Sequence, residues 1–144
     1  ASPSASARDL YLTAQAGDRE ARAALAQPAA QPDATLKLVR AAVRAYKTVV
    51  LRHPTSGYCD DALWYGAQVG AEGFAQFGQE RDRQSAVALL KLLQSEYPAS
   101  PFIARIKPML DHLATPAGAT PAAAPASTST RSAFSSTAAT ARAA

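Results

Sequence analysis

The sequence has few of the residues that most often build catalytic and metal-binding sites. Of its 144 residues, one is cysteine and two are histidine. The single cysteine, Cys59, cannot form an intramolecular disulfide. A catalytic zinc needs three protein ligands, and no serine has a histidine at the motif spacing that would activate it as a nucleophile. We therefore predict no catalytic residue, no metal site and no cofactor site within this chain.

Long apolar runs and a strong charge imbalance are also missing. No stretch reaches the roughly 20 apolar residues that a transmembrane helix requires, and residues 1–5 lack the apolar segment of a signal peptide. The net charge is +4, but 13 basic residues face all 11 acidic residues within 1–114. So thin an excess is weak support for a nucleic-acid partner, and we expect none.

The last 30 residues lack almost everything that a folded core requires. From Thr115 to Ala144, 26 positions are Ala, Thr, Ser or Pro, and Phe134 is the one aromatic residue. This composition buries too little apolar area to offset the entropy of ordering the chain. We predict a disordered tail or linker over 115–144, a helical domain over 6–114 and a flexible start over 1–5.

The part that can fold has the apolar periodicity of helices. Apolar residues recur at spacings of three, four and seven, and no alternating strand pattern competes. We predict an all-α fold of about five helices, stacked as antiparallel pairs. Ser6, Asp33 and Ser100 are predicted N-caps, and Gly78 a helix end. Pro108 interrupts the last helix, unless a short final turn through Met109, Leu110 and Leu113 continues it. The predicted helices span about 6–26, 34–53, 60–77 and 82–97, with a fifth after residue 100.

An internal repeat relates two parts of this domain. With Pro54 placed over Pro98, the flanking segments match at an offset of 44 residues. Residues of the same kind align: the small Ala42 with Ala86, the large Tyr46 with Leu90, and the hydroxyl residue Ser56 with Ser100. Together with the two prolines, these six residues form the repeat signature. This is the second-helix half of a tetratricopeptide pattern, whose usual period is about 34 residues. The longer offset predicts an extended loop around 77–84.

The two turn sequences carry a family resemblance. His-Pro-Thr-Ser-Gly-Tyr at 53–58 and Tyr-Pro-Ala-Ser-Pro-Phe at 97–102 resemble the Tyr-Pro-x-Ser-x-Tyr turns of tetratricopeptide proteins of the bacterial envelope. The stretch from Leu38 to Arg105 also resembles the non-catalytic N-terminal region of some bacterial N-acetylmuramoyl-L-alanine amidases. In those enzymes a similar pair of repeats precedes a low-complexity linker and a zinc hydrolase domain.

The resemblance implies a periplasmic or envelope-associated protein–protein interaction module, which positions or regulates a peptidoglycan hydrolase. An alternative is a stand-alone tetratricopeptide-like scaffold or adaptor without an attached enzyme. A third, an enzyme with an unrecognised site, is disfavoured by the shortage of histidine, cysteine and clustered acids. If the coding sequence continued after Ala144 into a domain with histidine and glutamate ligands, it would favour the amidase interpretation.

Two sets of residues are candidate binding surfaces. Four basic residues recur at spacings of three and four, so on a helix they form one stripe. This stripe, which suits an anionic envelope or cell-wall component or an acidic protein, consists of Lys37, Arg40, Arg44 and Lys47. A second set could line a groove for a protein or peptide partner: Trp64, Tyr65, Gly66, Gly70 and Phe74. The alternatives are a solvated helix face for the first and close helix packing for the second.

Overall fold

Five α-helices make up the described part of the chain. The structure, a computed structural model, describes residues 5–27 and 31–114, and neither range contains a strand. The predicted all-α fold is confirmed. None of the helices within these ranges is long and apolar enough to cross a membrane. The predicted tail, 115–144, lies outside the described residues. The helices are α1 (Ala7–Leu25), α2 (Pro32–Arg52), α3 (Cys59–Phe77), α4 (Glu80–Glu96) and α5 (Ile103–Ala114).

Each of the first four helices packs on its neighbour in the sequence. α1 contacts α2, α2 contacts α3, and α3 contacts α4 and also α1. The main core lies between these helices and holds the fully buried side chains of Tyr46, Leu63 and Leu90. α5 adds Ile106 and Leu113 to the same core. The stacked helix pairs that the periodicity predicts are therefore present.

The helix limits confirm some predicted signals and correct others. Ser6 caps α1, because its hydroxyl accepts the Asp9 N–H at 3.1 Å. Gly78 ends α3 with φ of 67°, a left-handed conformation that costs glycine nothing. Asp33 does not cap α2, which begins one residue earlier at Pro32. Proline suits the first helical position, and Asp33 instead lies in the first turn, where a negative charge favours the helix dipole.

Of the two alternatives for Pro108, the interruption is wrong and the continued helix is correct. α5 continues through Pro108 to Ala114. A proline inside a helix leaves the carbonyl four residues earlier without its N–H partner, here that of Ala104. Both Ala104 and Pro108 are exposed, so this carbonyl can be hydrated. The buried side chains of Ile106 and Leu113 hold the helix against the core on both sides of the proline.

The two turns related by the repeat have the same hydrogen bonds. The hydroxyl of Ser56 accepts the N–H two residues later at 3.0 Å, and that of Ser100 does so at 3.2 Å. The N–H of each serine donates to the carbonyl three residues earlier, at 2.9 and 3.0 Å. The helices before the turns end on residues with φ of −137° and −131°. The offset of 44 residues thus relates equivalent backbone conformations.

Side chains at the ends of α2 and α4 also correspond. His53 Nε2–H donates to the Ala5 carbonyl at 2.9 Å, just before α1. Its repeat equivalent, Tyr97, donates its hydroxyl at 2.6 Å to the carbonyl of Pro54, in the turn that leads from α2 to α3. The end of each helix pair is therefore bonded to the start of the same pair.

The connection between α3 and α4 differs from its prediction. It consists of residues 78 and 79 alone, so the extended loop around 77–84 is absent. The 44 residues beginning at Cys59 contain the 19-residue α3 and the 17-residue α4. The extra length over a period of about 34 residues therefore lies in the helices, which gives each pair a longer packing surface.

Truncating Leu90 to alanine should markedly lower the free energy of unfolding. Leu90 is fully buried, and a buried leucine-to-alanine change costs about 2–5 kcal/mol. The matched control is Leu51→Ala, because Leu51 is 69% exposed and should change stability by no more than about 0.5 kcal/mol. Urea unfolding followed by circular dichroism measures both. Equal losses would contradict the placement of these residues.

Candidate functional site

The residues predicted to line a groove lie mostly in the core. Trp64 and Phe74 are buried, and so are Gly66 and Gly70. A Cβ atom built on Gly66 would lie 3.2 Å from the Tyr46 Cβ atom, so this position packs against α2. Tyr65 is the member of the set that lies half-buried at the surface, where it lines the depression described below.

The glycines of α3 form a line of close contact with α2. This α3 seam consists of Ala62, Gly66, Gly70 and Gly73. A Cβ atom at Gly73 would lie 2.8 Å from Val39 Cγ1, and one at Gly70 would lie 3.4 Å from Val43 Cγ2. The first distance is too short for any real side chain. The seam is therefore where α2 packs closely on α3.

The basic stripe of α2 is divided between two environments. Arg40 is half-buried, and its Nε and Nη2 donate to the two carboxylate oxygens of Asp82 at 2.9 Å each. This bidentate pair joins α2 to α4. Lys37, Arg44 and Lys47 are exposed, so they are the part of the stripe that a partner can reach.

The cysteine and one of the two histidines of the sequence, Cys59 and His53, make contacts with backbone carbonyls. The Cys59 thiol is buried, and its Sγ–H donates to the His53 carbonyl at 2.9 Å. His53 itself binds the Ala5 carbonyl. Within 5–27 and 31–114, no three His, Cys, Asp or Glu side chains are grouped as metal ligands would be.

A surface depression lies between α1 and α3. This α1–α3 depression has a volume of about 330 Å³. Aromatic, amide and charged side chains of both signs line it. They are Tyr11, Gln15, Asp18, Arg19, Arg22, Tyr46, Asp61, Tyr65 and Gln68. Such mixed polar lining is typical of a surface that recognises another molecule by hydrogen bonds.

A polar network holds the walls of this depression in place. Asp18 of α1 is buried, and its Oδ2 accepts the Tyr46 hydroxyl of α2 at 2.6 Å. Its Oδ1 accepts the Arg22 Nε–H at 2.7 Å. Arg22 in turn donates to Glu72 of α3. One buried carboxylate therefore connects three helices, and both of its oxygens are occupied.

The surroundings of the depression raise the pKa values of three residues that line it. Burial, followed by the charge of Asp61, raises the pKa of Tyr11 to about 12. Burial, followed by the hydrogen bond to Asp18, raises the pKa of Tyr46 well above its usual range. Burial and the neighbouring Asp60 raise the pKa of Asp61. Both tyrosines are hydrogen-bond donors at neutral pH, as binding groups are, and neither is an activated nucleophile.

The arrangement suits binding better than chemistry. Each oxygen of Asp18 accepts a hydrogen bond, from Arg22 or from Tyr46, so this carboxylate is committed to contacts within the domain. General acid–base catalysis needs a group within hydrogen-bond reach of the reacting atom, matched by a second positioned group. Asp61 is the remaining acid in the depression, and the histidines are not among the lining residues.

The α1 side of this depression is not among the residues predicted from the sequence, although a signal for it exists. The buried face of α1 recurs at spacings of three and four, and one charged residue, Asp18, occupies that apolar register. Arg22 follows it at i+4, the distance at which helical side chains pair. A charged residue within an apolar stripe indicates a buried polar contact, and its partner in α2 was already singled out as Tyr46.

Comparisons with known proteins gave no relative. The sequence matches no family model, and searches of the curated proteins and of the solved structures gave no match.

Tyr46→Phe should destabilise the domain by about 1–3 kcal/mol, because it leaves a buried carboxylate without one of its donors. Urea unfolding measures the change. Tyr65→Phe makes the same chemical change on a half-buried ring and should cost much less. In an Asp18→Ala background, Tyr46→Phe should lose most of its effect, since the two mutations remove the same contact. Additive losses would contradict the network.

The free energy of unfolding should fall as pH rises above about 10. Tyrosine in an unfolded chain ionises near pH 10, whereas folded Tyr11 keeps its proton until about pH 12. Between these values the folded state binds more protons than the unfolded state, so stability decreases with increasing pH. Urea unfolding across this range measures the slope. Tyr11→Phe should reduce it, and an unchanged slope in that variant would contradict the assignment.

Proposed function

We propose that this chain is a non-catalytic helical module that binds a protein or peptide through the α1–α3 depression. The composition of the depression carries the proposal. Gln15 and Gln68 present amide groups, which both donate and accept hydrogen bonds and so match a peptide backbone. Tyr65 presents a half-buried aromatic ring beside the buried Tyr11, and tyrosine is enriched among residues that dominate binding energies.

The rigidity of the site supports the same proposal. Asp18 and Tyr46 bind one another beneath the depression, and Arg22 connects them to α3. These three lining side chains are thus held in place before a partner arrives, which lowers the entropic cost of binding. In this proposal the polar network shapes the surface, and the residues around it make the contacts.

The proposed place of the module is the bacterial envelope, as the N-terminal part of a peptidoglycan N-acetylmuramoyl-L-alanine amidase. The support is the resemblance of the turns at 53–58 and 97–102 and of the stretch from Leu38 to Arg105. In this arrangement the module positions or regulates the hydrolase by binding, and the zinc ligands belong to a different domain. A coding sequence that continued after Ala144 into a domain with histidine and glutamate ligands would distinguish an amidase from a stand-alone envelope scaffold.

A peptide selection tests the binding function. Random peptides displayed on phage are selected against the full chain, and the enriched peptides are synthesised. Their affinity, measured by fluorescence anisotropy, should fall about tenfold or more in Tyr65→Ala, which is the loss expected for a tyrosine at an interface centre. Leu51→Ala, on an exposed part of α2 outside the depression, should bind like the wild type.

The same preparation tests the non-catalytic part of the proposal. Incubated with purified peptidoglycan and zinc, the chain should release no peptide stems, because its described residues contain no grouped ligand set. Hydrolysis that disappears on chelation and returns with zinc would contradict the proposal. Peptides that bind Tyr65→Ala as tightly as the wild type would contradict the choice of surface.

A further inference from the structure

A second concave surface lies between α2 and α4. This α2–α4 groove has a volume of about 580 Å³. Its apolar lining includes Val43 of α2 and Ala88, Leu89 and Leu92 of α4. Leu89 is buried, whereas Val43 and Leu92 remain half-buried. Apolar side chains are therefore accessible at the bottom of a groove, where a partner's apolar side chains would replace water.

The charges that line the groove have one sign. Arg44 and Lys47 line it from α2, and Arg81 lines it from α4; the described lining residues include no acidic side chain. Asp82 lies in an adjoining recess, but Arg40 occupies both of its oxygens. The groove thus carries three positive charges, whereas residues 1–114 together have a net charge of only +2.

We propose that the α2–α4 groove binds an acidic amphipathic helix of a partner protein. The apolar side of that helix would lie against Leu89 and Leu92. Its glutamate or aspartate side chains would pair with Arg44, Lys47 and Arg81 along the two edges. The charges would supply specificity and speed of association, and the apolar floor would supply much of the affinity.

The shape of the groove favours a helix over an extended peptide. The lining residues of α4 run from Arg81 to Leu92, about 17 Å along a helix axis. Gly66 of α3 lies near Tyr46 and Leu89, and Gly70 lies near Val43 and Ala86. α2 and α4 therefore both run antiparallel to α3 and parallel to each other. A groove between two parallel helices fits a third helix whose apolar residues recur at i, i+3 or i+4, and i+7.

The charges and the shape disfavour other occupants. The chain's own segment 115–144 contains two arginines and no acidic residue, so it is repelled. The same groove on a second copy carries the same charges. A lipid bilayer presents a flat anionic surface, which meets protruding cations but cannot reach apolar side chains at the bottom of a groove. An acidic amphipathic helix can both pair with the basic side chains and cover the apolar residues of the groove.

This inference goes beyond the function proposed above, because it concerns a separate surface. The α2–α4 groove and the α1–α3 depression have no lining residue in common. Tyr65→Ala tests the depression, and charge reversal in the groove tests the groove. A negative result for one surface therefore does not affect the conclusion about the other.

A peptide library with fixed apolar positions tests the proposal. Helix-forming peptides displayed on phage carry leucine at i, i+3 and i+7, and their flanking positions are drawn from glutamate, glutamine and lysine. Selection against the full chain should enrich glutamate. A selected peptide should bind Arg44→Glu/Arg81→Glu about tenfold or more weakly than the wild type, because like charges then face each other. Selection against that double variant should enrich lysine instead.

The control variant is Arg8→Glu/Arg52→Glu. It makes the same change in net charge at exposed positions outside the groove, and it should bind the selected peptide like the wild type. Circular dichroism checks that both double variants fold. Three results would overturn the proposal: no preference for glutamate, equal loss in both double variants, or groove-dependent binding to phosphatidylglycerol vesicles without peptide binding. Self-association of the wild type that charge reversal abolishes would overturn it as well.

Discussion

The close packing of α2 on α3 is the constraint on which the other features depend. At Gly73 a side-chain carbon would collide with Val39, so the α3 seam sets how near the two helices lie. α4 packs on the same central helix, and the α2–α4 groove is the space that remains between two helices resting on a third. This groove therefore follows from where small residues occur on α3. The α1–α3 depression is lined instead by larger α3 side chains, those of Asp61, Tyr65 and Gln68.

Charged side chains in this domain divide into those that join helices and those that face solvent. Asp18 and Arg22 connect three helices at one surface, and Arg40 with Asp82 connects two at another. Because these charges are paired within the domain, they fix the relative positions of the helices more than they attract a partner. The remaining cations at the α2–α4 groove lack such partners among its described lining residues. A partner's charge can therefore act at Arg44, which lies one helical turn beyond Arg40.

Helix type, helix order and the repeated turns could be predicted from sequence, because each depends on nearby residues: apolar spacing, a serine two positions after a proline, a glycine at a helix end. What depended on distant partners could not be predicted. The exposure of Arg40 was decided by Asp82, 42 residues away, and the continuity of α5 was supported by core contacts on both sides of Pro108. The α3 residues predicted to line a groove were ambiguous for the same reason, since aromatic residues and glycines occur both in cores and at binding surfaces.

The bonds from His53 to Ala5 and from Tyr97 to Pro54 have a consequence for how the chain forms during synthesis. Each bond joins the last residue of a helix pair to the segment that precedes the same pair. The first pair can therefore close before the second has left the ribosome, and the second then covers the face of α2 that packs on α3. Contacts that are local in sequence favour such stepwise, fast assembly. A nascent chain of this kind exposes only one incomplete unit at a time to its surroundings.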